Sequence, residues 1–142
     1  MLPVKSDDYS KDCKEFIEEL ESRGGIDLLI VGIGENGHIG FNQPGSAFGS
    51  GCRVSVMYPE LEARIRRETG TPDNVELGGV TLGLKDVMTA RKIVAVAKGT
   101  TKAEIVKRIV EGPVSEEVPA SVLQLHPDCE FILDKDAASK LD

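Results

Sequence analysis

Tryptophan is absent, and two tyrosines and four phenylalanines are the only aromatic residues among 142. A stacking platform for bases or sugar rings is therefore not expected. Basic charge is also scarce: 17 Lys and Arg stand against 24 Asp and Glu, a formal net charge of −7. That balance argues against nucleic acid or an acidic membrane as the main partner and confines any anion to a local site. No apolar run approaches the roughly 18 residues that mark a membrane-spanning helix, and no basic segment followed by an apolar one marks a secretory leader. A soluble cytoplasmic protein is the expectation. Three cysteines, Cys13, Cys52 and Cys129, lie far apart without C-x-x-C spacing. An odd count of scattered thiols suits packing or surface residues better than disulfides or a zinc site, and no metal is expected.

What the chain does have is glycine in one place. The run Ile26-Asp27-Leu28-Leu29-Ile30-Val31 ends in Gly32-Ile33-Gly34-Glu35-Asn36-Gly37-His38-Ile39-Gly40-Phe41-Asn42-Gln43-Pro44-Gly45. A short continuous apolar run reads as a strand buried on both faces of a parallel sheet. The polar cassette then sits beyond the carboxyl end of that strand, where open α/β sheets bind ligands. Glycines there, Gly34 among them, let the backbone approach a ligand closely.

Around this centre the pattern alternates between helix and strand. Residues 1–8 are a polar entry, and Tyr9, Cys13, Phe16, Ile17 and Leu20 recur at three- and four-residue steps, predicting an amphipathic helix to Arg23. Cys52 to Met57 alternates weakly, and Pro59 to Arg67 reads as a short charged helix. Residues 75–88 are ambiguous, with a helical turn expected over Val80 to Met88. Lys92 to Ala97 is a second buried strand, and Gly99-Thr100-Thr101 opens a helix to about Glu111. Pro119 to Leu125 predicts a short helix, Cys129 to Leu133 a third strand, and Asp134 the N-cap of a terminal helix. Three good strands and two weak ones make a thin sheet. The first helix also has no preceding strand to cross over from. The expectation is one domain over residues 1–142, an α/β Rossmann-like three-layer fold with a parallel sheet flanked by helices, incomplete at its N-terminal side.

Gly32-x-Gly34-x-x-Gly37 matches the dinucleotide fingerprint literally, but Gly40, Pro44 and Gly45 leave little room for the helix that should open within the glycines. No convincing ribose-binding acid follows about twenty residues on. No cofactor is expected. His38, beside Asn36 and near Gln43, suits a proton shuttle, because imidazole titrates near neutrality and a neighbour can fix its tautomer. His126 lacks such surroundings and reads as structural. Lys102 follows a strand-to-helix turn, where backbone amides and an ammonium can converge on a phosphate; the alternative is an ordinary solvated lysine. Arg64, Arg66 and Arg67 form a solvated face from which one guanidinium could reach a ligand phosphate.

The stretch from Gly32 to Ser46 closely resembles the signature of the glucosamine-6-phosphate deaminase/isomerase family. The resemblance continues through Arg53, Gly83, Gly99-Thr100-Thr101-Lys102-Ala103 and Ser121-Val122-Leu123-Gln124-Leu125-His126-Pro127. The related 6-phosphogluconolactonases share the first portion but continue with a Ser-Leu-Phe-Pro type run, where Phe41-Asn42-Gln43-Pro44 stands here.

The resemblance implies ring opening of an amino-sugar phosphate by a histidine, then aldose–ketose isomerisation and loss of ammonia. It makes His38 the ring-opening residue, with Asn36 and Gln43 as its catalytic companions. Lys102 and, by ungapped spacing from His38, Arg67 are assigned to the phosphate, with Gly34 in the substrate-binding loop. Gln43 departs from the family's glutamate, which removes a charge that would stabilise imidazolium. The family's phosphate-cradling loop and catalytic aspartate precede the stretch that this sequence resembles. Three readings follow: a glucosamine-6-phosphate deaminase/isomerase, an isomerase acting on galactosamine 6-phosphate, or a noncatalytic sugar-phosphate-binding remnant or half of a split enzyme. A homo-oligomer or a complementing N-terminal segment is the expected assembly.

Overall fold

The computed structural model describes residues 7–75 and 77–142. The polar entry expected over residues 1–8 lies, up to residue 6, outside the described residues. Helix α1 (Tyr9–Ser22) opens with Asp8, whose carboxylate accepts the Lys11 N–H at 3.0 Å. It buries Cys13. Gly24 and Gly25, at φ 95° and 83°, turn the chain out of the helix through a left-handed conformation that side chains resist.

Strands β1 (Leu28–Gly32), β4 (Lys92–Ala97) and β5 (Cys129–Leu133) form a parallel sheet in the order β1-β4-β5, with Val31 opposite Ala95 and Ala95 opposite Phe131. The weak alternation after Cys52 is a real strand, β2 (Arg53–Val56), paired antiparallel with β3 (Gly78–Thr81) in a separate two-stranded sheet. Between them lies α2 (Pro59–Thr69), with proline in its first turn and left-handed Gly70 ending it. Residues 84–88 form α3 (Leu84–Met88).

The crossover from β4 to β5 runs through a 3-10 turn at Thr100–Lys102, helix α4 (Ala103–Val110) and a 3-10 helix at Pro119–Leu125. Ala103, Ile105, Val106 and Ile109 of α4 are buried against the sheet side that carries Ile93, Ala95 and Ala97. Leu84, Val87, Leu123 and Ala137 complete this core. Each buried Val, Leu or Ile side chain contributes about 1.5–3 kcal/mol by leaving water, the alanines less. Beyond Asp134 the chain forms successive turns rather than the expected helix, although Asp134 Oδ1 does accept the Ala137 N–H at 2.8 Å.

Among the described residues the sheet is layered on one side only. Leu28 is 51% exposed and Ile30 66% exposed, so β1 is not buried on both faces as its continuous apolar run suggests. The reason is that no described element covers the face to which alternate β1 residues point.

Candidate functional site

The cassette folds back on the end of β1. Ile33 bridges Ile39, the Gly34 N–H donates to His38 O at 2.9 Å, and the Gly37 N–H donates to Gly34 O at 3.0 Å. Gly37 takes φ 84° with Val118 pressed against it, where a Cβ would stand 2.9 Å from a Val118 methyl. Ile39 and Asn42 are the pegs, 1% and 0% exposed. The Asn42 amide donates to Ile39 O at 3.0 Å and Leu82 O at 2.8 Å and accepts from Arg53 Nη1 at 2.9 Å. Arg53 is thereby committed to holding the loop.

His38 stands half-buried on this platform with its ring against Gly34, where a Cβ would come within 2.0 Å of Cε1. Its Nδ1 lies 2.6 Å from Asn36 Oδ1, which also accepts the His38 backbone N–H at 3.2 Å. An amide oxygen cannot donate, so Nδ1 carries the proton and Nε2 keeps its lone pair. Asn36 Nδ2 donates to Gln43 Oε1 at 3.0 Å. Gln43 thus reaches the imidazole through Asn36, not directly as a residue supporting the histidine would. Its Nε2 is the buried side-chain polar atom left without a partner among the described residues.

These groups line a cleft of about 840 Å³ with Lys102, Arg64, Tyr58 and the carboxylate residues Glu35 and Glu60. Burial holds the His38 pKa below its ordinary 6.5, and the charges of Lys102 and Arg64 push the same way. A neutral imidazole with a free Nε2 beside two cations can exchange a proton with a bound anion's hydroxyl groups.

The structure brings Gly34, Asn36, His38, Gln43 and Lys102 together, and it does not bring Arg67. Arg64, one turn earlier on α2, lines the cleft in its place, on the same helical face as Glu60 and Leu61. That three- and four-residue spacing is the signal in the sequence for the cleft-facing side of α2. Arg66 is occupied with Glu62, at 2.6 Å, and with Val75 O at 2.7 Å. The Gly99 amide, expected to join Lys102 at a phosphate, is already taken by both Asp134 carboxylate oxygens at 3.0 and 3.1 Å. His126 is structural as expected: it is buried, Nδ1 accepts the Asp128 N–H at 3.1 Å, and Nε2 donates to Ala90 O at 2.8 Å. Among the described residues no group of three or more His, Cys, Asp or Glu is placed to hold a metal, and no helix is long and apolar enough to cross a membrane.

The chain is 41% identical over 134 residues to glucosamine-6-phosphate deaminase of Thermoanaerobacter pseudethanolicus, covering 94% of this chain and 53% of that one. It is 44% identical over 142 residues to the deaminase of Rhodopirellula baltica, covering 99% of this chain and 57% of that one. A solved monomeric glucosamine-6-phosphate deaminase superposes with TM-score 0.89 at 34% identity, over 98% of this chain and 58% of its own. The 6-phosphogluconolactonase of Trypanosoma cruzi shares the fold at TM-score 0.71 and 21% identity, over 99% of this chain and 55% of its own. The chain therefore spans a little over half the length of the relatives it matches. The model of the glucosamine-6-phosphate isomerases/6-phosphogluconolactonase family matches residues 2–131, nearly the whole chain and all of the cleft described above, and it is to this family that the protein belongs.

Proposed function

We propose that this chain carries the ring-opening and phosphate-binding part of a glucosamine-6-phosphate deaminase/isomerase site, at once hydrolase and isomerase, within one partial domain over residues 1–142. The observation that carries this reading is His38, neutral and anchored at Nδ1, with Nε2 free in a cleft that also holds Lys102 and Arg64. The two cations hold the sugar's phosphate. Nε2 takes the proton of the anomeric hydroxyl and returns it to the ring oxygen, opening the ring; proton transfer of this kind is worth about 10²–10⁴ in rate. Isomerisation and ammonia loss then need a carboxylate to move the C2 proton. The resemblance assigns that role to an aspartate in the portion of the relatives that this chain does not span, while the cleft's own carboxylates are Glu35 and Glu60. No cofactor or metal enters this scheme; the negative charge and the family favour a small-molecule substrate over nucleic acid, and the family favours a cytoplasmic enzyme.

A second reading, sugar-phosphate binding without turnover, is favoured by one feature. Amides at Asn36 and Gln43 supply no charge to stabilise imidazolium.

Titration of the chain with glucosamine 6-phosphate, followed by the His38 ring protons and by the rate at which the sugar's anomers interconvert through the open chain, tests both readings. Perturbation of His38 that weakens in Lys102→Ala supports the site. No perturbation at millimolar sugar phosphate overturns it, and binding that leaves the interconversion of the sugar's anomers no faster than in buffer supports the second reading.

A further inference from the structure

Lys102 lines the cleft and acts on His38, yet among the described residues no side chain pairs with its ammonium. Its position is therefore set by its backbone. On one side Ala103, 3% exposed, anchors it to the core-packed helix α4. On the other side it is tied to Gly99, whose C=O accepts the Lys102 N–H at 3.1 Å. Gly99 takes φ 90° and ψ 160°, a conformation that only glycine adopts readily and that persists where the surroundings hold it. Asp134 holds it, 35 residues on, at the carboxyl end of β5. Its Oδ1 and Oδ2 accept the Gly99 N–H at 3.0 and 3.1 Å, and Oδ1 also accepts the Ala137 N–H at 2.8 Å. Ala137 is fully buried, so the carboxylate has a fixed seat. The N–H groups of Ala137 and Gly99 hold the Asp134 pKa below its ordinary 3.8, with Lys98 pushing the same way, so the group is ionised at neutral pH. Gly99 is thus clamped twice, its N–H by Asp134 and its C=O by Lys102.

Resting on the reading of Lys102 as a phosphate-binding group, we propose that Asp134 is a positioning residue of the cleft, which holds Gly99 in its turn and through it aims the Lys102 ammonium at the ligand. Asp134 does not itself line the cleft, so its influence passes through the turn. Two routes from Asp134 to His38 can be told apart, because they have opposite signs. If Asp134 acts by position, its loss lets the Lys102 charge move away and the His38 pKa rises. If it acts through its own negative charge, its loss removes support for imidazolium and the His38 pKa falls. The charges that shift His38 in the folded chain are those of Lys102 and Arg64, which favours the first route.

The test is NMR titration of the His38 ring protons in the full chain without ligand, followed by calorimetric titration with inorganic phosphate. Asp134→Ala should raise the His38 pKa toward its value in Lys102→Ala and weaken phosphate binding roughly tenfold, the size of one lost charge-assisted hydrogen bond. The double variant should go no further than Lys102→Ala alone, since both changes remove one interaction. Asp134→Asn keeps an oxygen for the two N–H groups that Oδ1 accepts, so most of the pKa and of the binding should be restored. A His38 pKa that is unchanged or lower in Asp134→Ala overturns the proposal, as does a double variant whose effects add. His126, buried just before β5, reports in the same spectra whether the fold persists. Should Asp134→Ala not fold, Gly99→Ala decides: its methyl meets nothing within 4 Å, so only the positive φ is disturbed, and an unmoved His38 pKa overturns the proposal. The two readings fail separately. If Lys102→Ala raises the His38 pKa without weakening phosphate binding, the phosphate reading falls and the positioning role stands. If Lys102→Ala weakens binding and Asp134→Ala does not, the positioning role falls and the phosphate reading stands.

Discussion

Asn36 Oδ1 and His38 Nδ1 stand 2.6 Å apart, an amide oxygen facing an imidazole nitrogen with Gln43 as the next member of the chain. The histidine is oriented by neutral groups. Its tautomer is set by an amide rather than a carboxylate, and the charges that shift its pKa, Lys102 and Arg64, are both positive. Asn36→Asp should therefore raise the His38 pKa by placing a negative charge on Nδ1–H. Gln43→Glu should raise it by less, acting through Asn36. NMR titration of the His38 ring protons measures both, and a larger rise in Gln43→Glu than in Asn36→Asp would contradict the order of the chain.

Lys102 and Arg64 both lower the His38 pKa and both line the cleft. Lys102→Ala and Arg64→Ala should each raise that pKa and weaken phosphate binding, whereas Arg67→Ala should do neither. Paired NMR and calorimetric titrations with inorganic phosphate would show this. If Arg67→Ala proved as damaging as Arg64→Ala, α2 would have to present a different face to the ligand.

Gly34→Ala introduces a methyl at the position the imidazole occupies. The ring must move, at an overpacking cost of about 1–3 kcal/mol. The expected result is a lower unfolding midpoint with displaced His38 resonances and lost sugar-phosphate binding. Unaltered His38 shifts would show that the ring does not rest on Gly34.

The depressed His38 pKa also sets the sign of a stability effect. Above pH 6.5 the histidine is neutral in both folded and unfolded chains, and its contribution is fully present. As pH falls below 6.5 the unfolded chain takes up the proton first, and stability declines until the lower folded pKa is passed. Urea unfolding at pH 7.5 and about 5.5 should show a smaller loss in His38→Gln than in the unsubstituted chain. A larger loss in His38→Gln would reverse the sign.

Loss of His126 should act differently from any change in the cleft. His126→Ala leaves Ala90 O and the Asp128 N–H without their buried partner. Destabilisation of about 1–3 kcal/mol is expected, with sugar-phosphate affinity of the folded fraction unchanged. Chemical denaturation and titration on one preparation separate the two effects.

Much of the architecture was legible because it is written locally. Strands β1 and β4 are nearly continuous apolar runs and β5 is one broken by Glu130, α1 repeats its apolar residues at helical spacing, and glycines with His38 and Asn36 at the end of β1 mark a candidate site. The β2–β3 pairing was harder to read. Its strands have four residues each, and β3 begins Gly78-Gly79, so propensity is weak and only cross-strand pairing defines them.

Residue types and their order by themselves pointed to the parallel sheet, to a cleft beyond β1, and to His38 and Lys102 as candidates that line it, since each depends on hydrophobic period and backbone turns within a few residues. Tertiary structure alone decided the rest. Whether Arg64 or Arg67 faces the cleft depends on how α2 is rotated against its neighbours, and the place of Asn36 between His38 and Gln43 depends on how the loop closes over Ile39 and Asn42. That Leu28, Ile30 and Ile132 stand exposed could not be read from their apolar character, because an apolar run records that a face is built to be covered and not which element covers it.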